Sequence, residues 1–256
     1  MIKKRILSSL FLITIITPLL FVNNLIFILV TLSIHLLIVH ELSTARKTPL
    51  LHKILSYSLF LGCFFSLFTL QHHHSATTQF IHILILATMT LFLFELFNKK
   101  ISFLNTRYFL AKQSILLSII SLSMLLLFTK NKVLFLYCIA LTAITDSSAY
   151  FFGKKFGKTQ LSPISPKKTI EGFILSYLTI IGIILLSTLC NLVTHKESVI
   201  LCSVPLFALF GDLHESLIKR KLKIKDSSNL IPGHGGFYDR FDSYLICLPV
   251  VLLLLQ

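Results

Sequence analysis

Long apolar segments are the feature of this sequence that most restricts its fold. Hydrophobic residues make up 55% of the 256 residues and charged residues only 13%, and the mean hydropathy is +0.85. A soluble domain carries about a quarter of its residues as charges, whereas a membrane-spanning helix needs about 20 apolar residues. The composition therefore predicts an all-α polytopic membrane protein. About nine segments are candidate spans: 6–22, 25–40, 54–70, 80–97, 113–129, 133–152, 173–190, 198–211 and 244–255.

The order of these spans divides the chain into two predicted regions. The first five spans form an N-terminal region, residues 1–130, and the others form a C-terminal domain, residues 131–256. A secretory signal peptide is an alternative interpretation of residues 1–20, because basic residues precede an apolar stretch there. A membrane span is the favoured interpretation, because no small-residue cleavage pattern follows and the apolar sequence continues.

The distribution of basic residues predicts the orientation of the spans. The formal net charge is +14, but Lys and Arg are spread over many loops instead of one soluble module, which argues against nucleic-acid binding. With the N-terminus in the cytoplasm, all of the 24 basic residues except Lys130, Lys132 and Lys196 lie on the cytoplasmic side, in agreement with the positive-inside rule. The two long polar loops, 153–172 and 212–243, then face the cytoplasm.

The ten acidic residues follow the same asymmetry. All except Glu197 lie near the predicted cytoplasmic ends of spans or in the two cytoplasmic loops. Asp146 differs from most of them because it lies inside a predicted span. Ionisable groups within a membrane are costly and usually functional. We therefore treat Asp146 as a candidate functional residue.

The segment KDSSNLIPGHGGFYDRFDS, residues 225–243, carries the clearest chemical pattern. Asp239 and Asp242 are three residues apart, a spacing that places both carboxylates on one face of a helix. Such a pair suits Mg²⁺, which is usually held by one or two carboxylates and completed by water and substrate phosphates. The glycines of the preceding GHGG can present backbone N–H groups to a phosphate.

Further charged residues precede this segment. Asp212 is followed by a cationic run, KRKLKIK at residues 219–225. Carboxylates that hold a metal, together with lysines and backbone amides that bind phosphates, are the parts of a phosphoryl-transfer site. A simpler alternative is a Gly/Pro turn followed by an interfacial helix cap, with lysines attracted to anionic lipids. That alternative does not account for a loop so rich in Gly, Asp and His.

Residues 216–242 resemble the signature of the phosphatidate cytidylyltransferase family, the CDP-diacylglycerol synthases. The signature reads S-x-x-K-R-x4-K-D-x5-P-G-H-G-G-x-x-D-R-x-D. Its fixed positions hold Ser216, Lys219, Arg220, Lys225, Asp226, Pro232, Gly233, His234, Gly235, Gly236, Asp239, Arg240 and Asp242. The pair Gly211 and Asp212 fits the G-D that precedes the signature. Residues 145–172 look like the family's second block, with Ser148 at a position where Gly is common.

The resemblance implies a reaction in which CTP and phosphatidate give CDP-diacylglycerol and pyrophosphate, with residues 131–256 as the catalytic domain. It implies Mg²⁺ on Asp212 and Asp239, with Asp242 and Asp146 as further candidate ligands and a second ion as an option. The implied catalytic residues are Asp212, Asp239, Asp242, Lys219, Arg220 and Asp226. The implied substrate-binding residues are Ser165, Lys167, Lys168, Thr169, Ser216, Lys225, His234, Gly235, Gly236 and Arg240.

Some of these residues have structural alternatives. Thr169 could cap a helix, and Arg240 could pair with a buried carboxylate instead of clamping a phosphate. Gly153 and Gly157 could be helix-packing positions, because small residues four apart allow helices to approach closely.

The implied partners are CTP, phosphatidate and the lipid bilayer, with no nucleic acid and with a homodimer as an open alternative. The implied location is the bacterial inner membrane, with the active site on the cytoplasmic side. Two other classes remain as alternatives. A CDP-alcohol phosphotransferase would carry the motif D-G-x2-A-R, which this sequence lacks. A transporter would place carboxylates near the bilayer midplane and show an internal repeat, and neither is visible here.

Overall fold

The computed structural model describes residues 23–73, 83–88, 90, 109–228, 230 and 235–255, apart from the side chains of residues 67 and 69–73. Helices and one short hairpin make up the described elements. They are α1 (Asn24–Ala45), α2 (Leu50–His73), α3 (Phe109–Lys130), α4 (Lys132–Phe156), β1 (Gln160–Ser162), β2 (Ser165–Thr169), α5 (Ile170–Leu189), α6 (His195–Cys202), α7 (Val204–Leu222), α8 (Tyr238–Phe241) and α9 (Tyr244–Leu254).

Five helical segments in the described part of the chain are long and apolar enough to cross a membrane. They are α1, α3, α4, α5 and the segment His195–Leu222, which contains α6 and α7. The prediction of an all-α multi-pass membrane protein is therefore confirmed. The predicted span 6–22 and most of 80–97 lie outside the described residues. The total of nine spans and the cytoplasmic N-terminus stay predictions.

Asparagine side chains define where two of these helices begin. The Oδ1 of Asn23 accepts a hydrogen bond from the N–H of Ile26 at 3.0 Å, at the start of α1. Asn131 caps α4 in the same way and accepts from the N–H of Leu134 at 2.9 Å. These bonds satisfy backbone donors that the first turn of a helix leaves without an intrahelical partner.

The chain divides into two compact units: residues 1–130 with 218–241, and residues 131–217 with 242–256. The predicted division after residue 130 coincides with a boundary between units, whereas residues 218–241 group with the first unit. The assignment of catalysis to residues 131–256 stays a prediction.

The first unit is built around α3, which packs against α1 and α2 and is buried along most of its length. Phe128 of α3 stacks on Phe27 of α1, with ring centroids 3.8 Å apart. The hydroxyls of Ser114, Ser121 and Ser123 donate to the carbonyl oxygen four residues earlier, at 2.8 to 2.9 Å. These bonds allow polar side chains to be buried in an apolar helix without losing hydrogen bonds.

In the second unit, α4 packs closely against α5. The hydroxyl of Ser176 on α5 donates to the carbonyl oxygen of Thr145 on α4 at 2.9 Å. A Cβ built on Gly172 would lie 2.8 Å from the carbonyl oxygen of Ala149 and from the Cα of Gly153. The backbones of the two helices meet here because neither glycine has a side chain. Gly153 is therefore a helix-packing position, as its sequence spacing suggested.

The predicted loop 153–172 is largely regular structure, which corrects its expected extent. Helix α4 continues to Phe156, and β1 and β2 then pair as an antiparallel hairpin before α5 begins. Glu171, in the first turn of α5, accepts from the N–H groups of Lys158 at 3.0 Å and Thr159 at 3.1 Å. This carboxylate fixes the base of the hairpin to the helix that follows it.

The boundary between the predicted span 198–211 and the predicted loop 212–243 is also corrected. One residue separates α6 from α7, and α7 continues to Leu222. Pro205 lies in the first turn of α7, where its missing N–H costs no intrahelical bond. The polar segment 212–222 remains helical, and its apolar residues Leu213, Leu217 and Ile218 are buried.

We expect Gly172→Ala to destabilise the protein by about 1–3 kcal/mol, the usual cost of overpacking, because its Cβ would overlap the backbone of α4. Thermal unfolding in detergent measures the effect. The matched control is Gly182→Ala in the same helix, where a Cβ meets nothing within 4 Å and alanine gains about 1 kcal/mol of helix propensity. Equal melting temperatures for the two variants would contradict the close contact.

Candidate active site

A cavity of about 410 Å³ lies within the second compact unit. Helices α4, α5 and α7, the hairpin and the turn before α9 form its wall. The charged and hydroxyl-bearing residues of the wall include Thr145, Asp146, Lys154, Ser165, Lys167, Lys168, Thr169, Asp212 and Asp242. Its less polar residues include Ala149, Tyr150, Leu161, Phe173 and Leu209. The cavity thus combines both signs of charge with apolar surface.

Two carboxylates of this cavity, Asp212 and Asp242, form a cluster with the buried Glu215. One oxygen each from Asp212, Glu215 and Asp242 lies within 4.8 Å of the other two. Asp212 and Glu215 are three residues apart on α7, so they project from one face. Like charges at this separation repel one another, and hard oxygen ligands suit a cation such as Mg²⁺. The arrangement of the three oxygens therefore fits a divalent cation.

Asp242 reaches the cluster through a close backbone approach. A Cβ built on Gly211 would overlap the carbonyl oxygen of Asp242, so a glycine is required at this point of α7. Helix α8 has a single turn that ends at Phe241. Asp242 therefore follows the helix instead of sharing a helical face with Asp239, which corrects the expectation from their spacing.

Ser243 connects this cluster to the third carboxylate that lines the cavity, Asp146. The hydroxyl of Ser243 lies 3.2 Å from Oδ2 of Asp146 and 3.3 Å from Oδ1 of Asp242. Its backbone N–H donates to the same oxygen of Asp242 at 2.7 Å. Asp146, which the sequence singled out inside a span, is thus brought to the same cavity as Asp212 and Asp242.

The hairpin supplies two of the positive charges of the cavity. Lys168 on β2 forms an ion pair with Oδ2 of Asp212, and Lys167 also lines the wall. Thr169 is the N-cap of α5, and its hydroxyl accepts from the N–H of Gly172 at 3.2 Å. The capping alternative for Thr169 is therefore confirmed, and its role in binding substrate stays a prediction.

Asp239 lies in the first unit, where it accepts four hydrogen bonds. Its Oδ1 accepts from the Nζ of Lys219 at 2.9 Å. Its Oδ2 accepts from the N–H of Ser227 at 2.9 Å, the hydroxyl of Ser227 at 3.1 Å and the N–H of Gly236 at 2.8 Å. We define residues 223–237, between α7 and α8, as the signature loop. The carboxylate of Asp239 thus bonds to Lys219 and to two residues of this loop, Ser227 and Gly236.

The other predicted residues of the signature differ in their exposure. Lys225, Asp226 and Arg220 are exposed, whereas Ser216, Gly235 and Arg240 are half-buried. Gly235 has a φ of 82°, a left-handed conformation that glycine adopts without strain. His234 lies outside the described residues. The substrate contacts of these residues stay predictions.

The sequence analysis did not identify three charged residues that contact the cavity, the carboxylate cluster or the signature loop. Glu215 could have been found from its spacing of three residues after Asp212, which places both on one helical face. Lys154 lines the cavity from the last turn of α4. Glu41 bonds to the signature loop from α1, although 186 residues separate it from Ser227. No local pattern in a single sequence reveals such a contact.

The amino-acid sequence matches the sequence profile of the cytidylyltransferase family over residues 3–256. The chain belongs to this family. The resemblance found in its signature is therefore confirmed.

Several relatives carry the name phosphatidate cytidylyltransferase. The protein of this name from Bacillus subtilis is 42% identical over 129 residues, which cover 48% of this chain and 46% of the relative. The one from Staphylococcus haemolyticus is 43% identical over 124 residues, covering 47% and 48%, and one from Staphylococcus aureus is 44% identical over 125 residues, covering 47% and 48%. The matched region thus spans about half the length of these relatives.

We expect Asp212→Asn and Glu215→Gln to weaken the binding of Mn²⁺, used as a spectroscopic substitute for Mg²⁺, by about tenfold or more. Each change removes an anionic oxygen from the cluster. Electron paramagnetic resonance of free Mn²⁺ measures the affinity without any substrate. Glu197→Gln is the control, because this carboxylate bonds to Thr194 and Asn131 instead of the cluster. Unchanged affinity in both cluster variants would rule out this cation site.

Proposed function

We propose that this member of the cytidylyltransferase family is a phosphatidate cytidylyltransferase, which converts CTP and phosphatidate to CDP-diacylglycerol and pyrophosphate. One observation carries the proposal: two carboxylates of a three-carboxylate cluster, Asp212 and Asp242, line one cavity of a membrane protein together with the lysines of the hairpin. The names of the relatives support the same reaction.

The proposed reaction explains why both signs of charge are needed. A phosphate oxygen of phosphatidate attacks the α-phosphorus of CTP and forms a new P–O bond. The bond from the α-phosphorus to the oxygen that bridges to the β-phosphorus breaks, and pyrophosphate leaves with that electron pair. The substrate supplies its own nucleophile, so the protein must chiefly position two polyanions and offset their charge.

The residues of the cavity divide between these tasks. Lys167 and Lys168 would bind phosphate groups, and a phosphate on Lys168 would replace its present partner, Asp212. Asp212, Glu215 and Asp242 would hold Mg²⁺, which offsets phosphate charge when bound. Asp146 is a further candidate ligand because it lines the same cavity.

The proposal also gives roles to signature residues of the first unit. The family signature implies that Asp239 is also a metal ligand and that Lys219, Arg220 and Asp226 act in catalysis. Both oxygens of Asp239 already accept hydrogen bonds in the structure. A cation on Asp239 would therefore require one of its present donors to move.

The apolar part of the cavity wall supports a lipid as one substrate. Leu161, Phe173 and Leu209 line the same cavity as the lysines and carboxylates. An amphipathic molecule such as phosphatidate presents a phosphate to the charged residues and acyl chains to the apolar ones.

The proposed location is a bacterial cell membrane, with the active site on the cytoplasmic side. The asymmetry of the basic residues supports this orientation, as does CTP, which is a cytoplasmic solute. A homodimer stays an open alternative.

We expect the metal ligands and the phosphate-binding residues to differ in their kinetic effects. Asp212→Asn and Asp239→Asn should lower kcat by more than about tenfold, or roughly 1.4 kcal/mol, and alter the Mg²⁺ dependence. Lys168→Ala should also raise KM for CTP or phosphatidate, because a cation stabilises the bound polyanion in the ground state as well. Incorporation of radiolabelled CTP into lipid by purified protein measures both constants.

The control for these variants is Lys196→Ala, a basic residue of a predicted outer loop. An aspartate variant with more than about a tenth of the wild-type kcat at saturating Mg²⁺ would not have lost a principal ligand. Wild-type protein that forms no CTP-dependent lipid product would contradict the proposed function itself.

We expect the hairpin and the start of α6 to lie on opposite sides of the membrane. In a chain whose native cysteines are replaced by serine, an impermeant maleimide added to intact cells should label His195→Cys and spare Gln160→Cys. Both positions are exposed, so a difference reports the side of the membrane. Inverted vesicles should show the opposite pattern. External labelling of Gln160→Cys alone would overturn the cytoplasmic active site.

A further inference from the structure

Glu41 is a buried carboxylate that accepts four hydrogen bonds from the signature loop and the first residue of α8. It lies near the end of α1 and is 1% exposed. Its Oε1 accepts from the hydroxyl of Ser228 and from the N–H of Phe237, both at 2.8 Å. Its Oε2 accepts from the hydroxyl of Ser227 at 2.9 Å and from the N–H of Tyr238 at 3.0 Å.

These four donors come from two sides of the same loop. Ser227 and Ser228 precede the GHGG sequence, and Phe237 and Tyr238 follow it. One side chain of a membrane helix therefore binds the chain on both sides of the GHGG sequence. A carboxylate suits this position because its two oxygens accept several bonds and donate none. A glutamine would offer one acceptor oxygen and bring two N–H groups against the donors.

Gly236 allows this contact. A Cβ at this position would overlap both carboxylate oxygens of Glu41 and the hydroxyl of Ser227. The loop can lie against Glu41 only because this signature residue has no side chain. The N–H of Gly236 points elsewhere and donates to Asp239 at 2.8 Å.

Glu41 and Asp239 share a donor. The hydroxyl of Ser227 lies 2.9 Å from Oε2 of Glu41 and 3.1 Å from Oδ2 of Asp239. Asp239 is in turn bonded to Lys219 at 2.9 Å. A continuous chain of hydrogen bonds thus runs from α1 to two residues of the signature.

We propose that Glu41 is a positioning residue of the reaction, which holds the signature loop so that Asp239 and Lys219 keep their working geometry. This role rests on the proposed cytidylyltransferase function, because it acts through residues assigned to that reaction. Glu41 acts indirectly, through Asp239 and Lys219. In this proposal α1 supports the reaction through Glu41 in addition to crossing the membrane.

The test compares Glu41→Gln with Ser43→Ala in the full-length protein in detergent. Ser43 is a matched control, because it is equally buried on the same helix and its hydroxyl donates to the carbonyl oxygen of His40 within that helix. Hydrogen exchange of the Phe237 and Tyr238 amides reports the two backbone bonds directly. Incorporation of labelled CTP reports catalysis separately.

We expect Glu41→Gln to speed exchange of these two amides by about tenfold or more, the factor for losing a hydrogen bond to a charged acceptor. It should lower kcat with a smaller effect on KM for CTP, because it disturbs geometry and leaves the lysines of the hairpin in place. Ser43→Ala should leave both measurements near the wild-type values. Ser228→Ala, which removes one donor and keeps Glu41, should produce the same changes to a smaller degree.

Four results would overturn the proposal. Unchanged exchange at Phe237 and Tyr238 would show that Glu41 does not hold the loop, and faster exchange throughout α1 and α3 would show a merely structural role. Local acceleration with unchanged kcat would separate the loop from the reaction. If Glu41→Gln does not fold, wild-type kinetics in Ser228→Ala together with wild-type exchange would count against it. Absence of CTP turnover in the wild-type protein would refute the proposed function, and the exchange data would still decide whether Glu41 holds the loop.

Discussion

Carboxylates buried among apolar helices are the constraint on which this structure depends. A charge removed from water is strongly destabilising unless fixed donors or an opposite charge replace the water. The buried Glu41 meets this requirement with three donors from the signature loop and one from the first residue of α8, and the half-buried Asp212 meets it with Lys168. In both cases the compensating groups come from a polar connection between helices. The hairpin is thus held in place partly by its ion pair with Asp212, and the signature loop by its hydrogen bonds to Glu41.

The described helices could be predicted from hydropathy because a membrane span needs only sufficient length of apolar sequence. The predicted segments 113–129 and 133–152 lie within α3 and α4. The hairpin could not be predicted, since its strands have three and five residues and are held by Glu171 as well as by each other. Helix α7 extends beyond the predicted span. Its polar segment includes buried apolar residues at helical spacing, a pattern that an average of hydropathy does not detect.

The site was predictable where residues lie close together in sequence. The family signature and the spacing of Asp212 from Glu215 are local patterns, and the structure brings Asp146 and Asp242 to the same cavity as Asp212. The partners of Glu41 are far away in sequence, and only the fold reveals them. The glycines illustrate a further limit. The glycines of this loop suggested phosphate binding. In the structure the N–H of Gly236 donates to Asp239, and the absence of a side chain at Gly236 makes room for the carboxylate of Glu41.

The serines of α3 have a consequence for how this helix can change during evolution. Ser114, Ser121 and Ser123 donate to carbonyl groups of their own helix. These hydrogen bonds therefore do not determine which helix packs beside them. Shape alone specifies the fit at these positions, so alanine or glycine can replace them without breaking a bond to another helix. Ser118 differs, because its hydroxyl also reaches the carbonyl oxygen of Phe60 on α2 at 2.9 Å. A helix buried along most of its length can therefore vary at these three serines, while the hydrogen bond of Ser118 helps to keep its alignment with α2.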